Sequence, residues 1–329
     1  MRDTAANGLH RRDGLSQVSS TYQWGSQALT RRTLIALLAA PALLPWIGRA
    51  GADPLPDSKP APDAAPNKAY PLFDEAAAAV SPWAGYQSRI ALKDSLVRLV
   101  QHGVLDRQKF LAAERGPKQV PAGWLEKLDR PSERPIYLTR ENAAAYVDLL
   151  WPIGLANRMA ANEKSPLLKW PLADFASTGG WTLGRGQNGA EYFNKFAIVD
   201  MTPAAEALAV RVAKTTFRPC CDNSTFFQDC NHGSALLGVL QLGATQGLDE
   251  AALYNEALAF NSFWFPDTYI PAALYFKTFR KTDWHRVDPR LVMGADFSSA
   301  SGWQKNVLTP LQAMTDLIPP PSAGVNCGA

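Results

Sequence analysis

The stretch NHGSALLGVLQLGATQG, Asn231 to Gly247, decides the fold. It is apolar around almost its whole circumference. A surface helix keeps a polar face, so a helix without one belongs inside. Gly233, Ser234, Gly238 and Gly243 keep it thin, which lets neighbouring helices come close, and Gly247 ends it. This segment is therefore placed at the centre of a helical bundle.

The pattern on either side is also helical. Thr202-Pro203 supplies a capping oxygen followed by proline at the first helical position. Leu208, Val212 and Thr215 continue that helix until Pro219. Asp249 can cap the helix after the central one, in which Leu253, Ala257, Phe260 and Trp264 form a single apolar stripe. Pro266 closes it, and DTYIPAALYFKTF starts another. Further upstream, Leu92, Leu96, Leu99 and Val100 follow helical spacing until Gly103. Asp106 can cap a short helix through Glu114. A third pattern follows Thr139, with Tyr146, Leu149, Leu150 and Ile153 on one side, and Pro152 is expected to kink or end it. Alternating, β-branched runs are scarce. The expected fold is all-α: an irregular multi-helix bundle with a Gly-rich irregular central segment, DFASTGGWTLGRGQNGAEYFNKF, Asp174 to Phe196.

The chain has 329 residues and a formal net charge of +3. The first 52 residues hold six arginines against two aspartates, a net +4, which leaves −1 for the rest. The basic balance belongs to the N-terminal segment, and no basic stripe in the body points to nucleic acid. In TRRTLIALLAAPALLPWIGRAGA, two arginines precede an apolar run from Leu34 to Gly48. Ala50-Gly51-Ala52 then fits the small-residue pattern that signal peptidases accept. The run is shorter than the roughly 20 residues of a comfortable membrane span. Four segments follow: a signal peptide over 1–52, a Pro-rich linker over 53–71, a helical globular body over 72–318 and a tail over 319–329. The linker DPLPDSKPAPDAAPNKAYP is too rich in proline to pair in a sheet or continue a helix.

Thr30-Arg31-Arg32-Thr33-Leu34-Ile35 resembles the twin-arginine (Tat) export signal. Leu34 stands where that signal favours phenylalanine, and its usual lysine is missing. The resemblance implies a bacterial protein exported already folded to the periplasm, often around a cofactor. The expected partners are the Tat machinery and signal peptidase, with membrane contact only through the leader if it stays uncleaved. An ordinary secretory signal carrying two arginines is the alternative. The body resembles uncharacterised exported bacterial proteins with a block like RPCCDNSTFFQDCNHG, a resemblance that carries no activity with it.

That block, within Phe217 to Gly233, gathers three of the four cysteines. Pro219 stops one helix and Cys230 opens the next, so the loop can fold back on itself. Cys220, Cys221, Cys230 and His232 then form Cys-Cys-x8-Cys-x-His, a soft donor set suited to zinc, copper or iron. The helix N-terminus favours the thiolate of Cys230. Three other arrangements compete, one of them a buried, unreactive thiol cluster. Neighbouring Cα atoms lie about 3.8 Å apart, below the usual disulfide span of roughly 4.4–6.8 Å. A disulfide would therefore join Cys220 or Cys221 to Cys230, and the other to Cys327. Alternatively, Cys230 is a nucleophile beside His232, with Cys221 resolving a mixed disulfide.

Other features read more simply. The glycines of STGGWTLGRGQNG match no phosphate-binding motif and indicate a turn-rich loop, although Ser177 and Thr178 could line a pocket. His102 suits a helix end. His285, near Asp283 and Asp288, could add a fourth ligand or a general base, or simply occupy a polar loop. The tryptophans and phenylalanines from Trp151 to Trp303 read as core. The sequence thus describes an exported helical protein that binds a metal or metal cofactor, for redox chemistry, metal handling or sensing. A thiol-dependent enzyme using Cys230 and His232, or a disulfide-stapled interaction protein, remain the alternatives.

Overall fold

A computed structural model describes residues 70–114, 123–314 and 317–319. The leader, nearly all of the linker and the tail with Cys327 lie outside the described residues. The order is α1 (Pro71–Val80), β1 (Tyr86–Lys93), α2 (Ser95–Gln101), α3 (Arg107–Glu114), α4 (Trp124–Asp129), β2 (Ser132–Leu138) and α5 (Ala143–Ala156). Four 3-10 turns occupy the region from Ala160 to Glu191. Then come α6 (Pro203–Thr215), α7 (Asn231–Thr245), α8 (Glu250–Trp264) and α9 (Pro266–Arg280). Short segments follow: α10 (Pro289–Met293), α11 (Ala295–Ser298), α12 (Ala300–Trp303), a π-helical turn over Gln304–Leu308, and α13 (Thr309–Gln312). The body is mostly helical, and the segment from Ala160 to Phe196 is the irregular one.

α7 is the central helix. Every residue from Gly233 to Ala244 is buried. It lies along α5, and two glycines set the distance. A Cβ on Gly154 would collide with the carbonyl oxygen of Ser234, and one on Gly238 with that of Leu150. The two backbones therefore touch, as the thinness of α7 requires. α6 and α8 flank the pair. Thr202 caps α6 by accepting from the Ala205 amide at 3.2 Å, and Asp249 caps α8 by accepting from that of Ala252 at 2.8 Å. Asp106 Oδ1 receives the amides of Gln108 and Lys109, both at 3.0 Å, at the start of α3.

The structure corrects the sequence reading in two places. Leu92 belongs to β1, not to a helix with Leu96; α2 starts only at Ser95. β1 and β2 pair antiparallel, with Tyr86 opposite Leu138 and Ala91 opposite Pro135. Pro135 cannot donate to a ladder, and Ala91 turns its peptide groups the other way. Its N–H donates to Gln246 Oε1 at 2.9 Å and its carbonyl accepts from Gln246 Nε2 at 2.8 Å. Buried Glu256 of α8 secures the same edge, accepting from the Arg89 amide at 2.9 Å and Ser88 Oγ at 2.6 Å. Long-range side chains thus make a strand of a run whose spacing also suits a helix. In addition, Pro152 does not end α5, which continues to Ala156. Burial on α7 holds the last turn despite the missing donor.

Candidate functional site

The cysteine loop joins α6 to α7 and closes on itself. After Thr215, the Thr225 amide donates to the Thr216 carbonyl at 2.8 Å, and Phe217 pairs with Ser224. Arg218 fills the ring so formed and is completely buried. Its Nη1 donates to the carbonyls of Asn223 and Ser224, both at 2.7 Å. Its Nη2 donates to the Phe227 carbonyl at 3.0 Å and to Asp229 Oδ1. Its Nε donates to Cys230 Sγ at 3.2 Å. A guanidinium has five N–H donors, and all are used here. Gly233 makes the room: a Cβ there would stand 2.6 Å from Arg218 Nε. Asn223 Nδ2 steadies the far side of Asp229 at 2.7 Å.

This frame brings the sulfurs together. Cys220 and Cys230 Sγ lie 3.3 Å apart, and all three sulfurs, with Cys221, fall within 4.8 Å of one another. Cys230 is the N-cap of α7, its sulfur accepting from the Gly233 amide at 3.3 Å. Hydrogen bonds from Cys220 and Cys221 hold the Cys230 thiol well below its ordinary range, and Arg218 adds to this against the opposing effect of burial. The negative charge of the trio therefore rests on Cys230. Cys220 is pushed up, through hydrogen bonding with Cys221 and Cys230 and by burial. Hydrogen bonding with Cys220 favours the thiolate of Cys221, but its bond to Cys230 and burial prevail, and it is pushed up to about 12. Burial opposes the charge of Arg218, yet its interaction with Cys230, with further contributions from Cys221 and Asp229, raises its pKa.

His232 lies in the first turn of α7, outside the group of three sulfurs. Its ring rests on Phe265, centroids 4.5 Å apart, and meets Trp264 edge-on at 5.9 Å. Burial, aided by the charge of Arg218 and opposed by that of Cys230, lowers its pKa to about 4. The imidazole is neutral at neutral pH. Asn231 Oδ1 accepts from the His232 amide at 2.8 Å and lies 2.9 Å from Nδ1. An oxygen already serving as acceptor places the ring proton on Nδ1 and leaves Nε2 with a free lone pair.

The loop is anchored on two sides. The Ser177 amide donates to the Asp229 carbonyl at 3.2 Å, so the glycine-rich segment packs against it. Ser177 and Thr178 are buried in turns. On the other side, the Ala300 amide donates to the Cys221 carbonyl at 3.1 Å and that of Ser301 to Asp222 Oδ1 at 2.8 Å. His102 stacks on Phe196 at the end of α2, and His285 is exposed in the turn Trp284–Arg286; neither joins the sulfurs. Arg218 and Asp229 escaped the sequence reading. The available signal was that Arg218 is the sole arginine or lysine between Phe217 and Gly233.

The chain defines a helical protein with a three-sulfur site braced by a buried arginine. It matches no protein-family model, no curated protein and no solved structure.

Proposed function

We propose that this is an exported protein that binds a soft metal ion through Cys220, Cys221 and Cys230. Its role is redox chemistry, metal handling or sensing. The carrying observation is the convergence of three sulfurs within 4.8 Å. Thiolates about 2.3 Å from a tetrahedral ion stand roughly 3.8 Å apart, a spacing between the 3.3 Å of Cys220 and Cys230 and the 4.8 Å that bounds all three. Zinc, copper(I) and iron suit such sulfur donors. Three thiolates around a divalent ion leave one negative charge, which Arg218 faces at Cys230. Cys220 and Cys221 lose protons on binding, so affinity rises with pH. His232 is the candidate for a fourth donor through Nε2, after turning from Phe265. Export follows the twin-arginine reading of the leader.

Native mass spectrometry of protein recovered from the cell envelope tests both halves. The expected mass is that of a chain starting at Asp53, plus one metal ion. The adduct should vanish in Cys230→Ser and weaken in His232→Ala. A metal-free mass two hydrogens below the reduced value, unchanged by chelators, would end the metal reading. It would favour a second one, supported by the 3.3 Å Cys220–Cys230 approach and the lowered pKa of Cys230. In that reading Cys230 is the attacking thiolate and Cys220 its partner, two electrons passing to an external disulfide as Cys220–Cys230 forms.

A further inference from the structure

On the C-terminal side of the body, a cleft of about 940 Å³ opens between α9, the Trp284–Arg286 turn, α10 to α12 and the π-helical turn. Small-molecule sites run to roughly 300–1,000 Å³ and combine an apolar wall with a few polar groups. Here the apolar wall is Tyr275, Phe276 and Phe297, mutually packed with centroids 4.9–5.9 Å apart. Leu291 is an exposed lining residue. Three cations, Arg280, Arg286 and Lys305, line the same space, and none forms an ion pair among the described residues. Two carboxylates line it as well. Asp288 caps α10, accepting from the Arg290 amide at 2.9 Å, and the lining keeps one net positive charge.

The local backbone departs from regular helix at this cleft. Lys305 and Asn306 stand in the π-helical turn, a feature common at functional sites. Lys281, directly after Arg280, has a left-handed φ of 52°, uncommon for a residue with a side chain. The Thr282 amide then reaches back to the Phe276 carbonyl at 3.1 Å. Lys305 thus stands in a π-helical turn at the rim, and Arg280 at the end of α9, which an αL residue closes as a helix C-cap.

We propose that this cleft binds an aromatic organic acid. Its ring lies against Tyr275, Phe276 and Phe297, and its carboxylate or sulfonate is held by Arg280, Arg286 and Lys305. The inference is independent of the metal reading, because no sulfur lines the cleft.

Two dyes with nearly the same ring system test it: anionic 1-anilinonaphthalene-8-sulfonate and neutral N-phenyl-1-naphthylamine. The sulfonate should bind saturably at one site per chain and more tightly than the neutral dye. In the triple variant Arg280→Gln, Arg286→Gln, Lys305→Gln it should lose about tenfold in affinity or more, while the neutral dye changes little. Leu291→Asp, on an exposed side chain, should weaken the sulfonate selectively, and Arg286→Lys should retain it. Circular dichroism checks that each variant keeps its helices. Equal affinity for the two dyes, full sulfonate binding by the triple variant, or no saturable binding would each overturn the proposal.

Discussion

Arg218 is a charged residue placed where a hydrophobic one would usually stand. It pairs with Asp229, and its N–H groups also donate to the carbonyls of Asn223, Ser224 and Phe227, the last two of which accept a backbone amide as well. Substituting Arg218→Met keeps the bulk but removes five donated hydrogen bonds and the only cation facing Asp229 and Cys230 among the described residues. A loss of about 3–5 kcal/mol is expected, read from urea unfolding. A loss under about 1 kcal/mol, the range of exposed pairs, would show that the loop does not depend on it. From the sequence, a lone arginine beside a proline reads as a surface residue, because nothing local reports five acceptors spread from Asn223 to Cys230. Cys230 itself was legible, since a helix start after Pro219 placed it at the N-cap. His232 was legible as a first-turn residue but not in its orientation, which Trp264 and Phe265 determine from another helix pair.

Among elements, the contact of α5 with α7 sets the spacing of the bundle. Gly238→Leu would drive a side chain into the Leu150 carbonyl, and the helices can separate only by opening the core. A cost of about 1–3 kcal/mol or more is expected, measured by thermal or urea unfolding; unchanged stability would refute the close contact. The glycine spacing that predicts this was visible in the sequence because it is carried within one helix. The caps at Thr202 and Asp249 were visible for the same reason. β1 was not. YQSRIALK has no strong alternation, and its strand state rests on Gln246 and Glu256, more than 150 residues downstream. Of the two outcomes expected at Pro152, a kink or an end, the end does not occur. Its local cost is real, but packing along α7 outweighs it.

For the molecule as a whole, buried phenols and the raised thiols of Cys220 and Cys221 set the alkaline limit. Burial raises the pKa of Tyr86, of Tyr269 and of Tyr146, the last to about 12, with Glu256 adding to the effect at Tyr86. A tyrosine raised above its ordinary value near 10 contributes stability that is complete below that pH and is lost as pH climbs beyond it. Lys127, lowered by burial, acts in the opposite sense up to its ordinary 10.5. Cys220 and Cys221, likewise raised above the ordinary 9.0, lose their contribution from about that pH, so stability should decline from about pH 9 and more steeply above about pH 10.5. Tyr146→Phe should shallow that fall, as urea midpoints between pH 8 and 12 would show. A profile unchanged by the substitution would remove Tyr146 from this account.

The internal bracing of the cysteine loop has a consequence for how the site is used. Many small metal sites take their shape from the ion and collapse without it. This loop takes its shape from a cation that the chain itself carries. On the proposed metal reading, an ion arriving at the three sulfurs would meet a seat already braced by Arg218, and its departure would leave that bracing in place. A seat of that kind would suit repeated loading and unloading, in the manner of a carrier or a gauge rather than a permanent rivet.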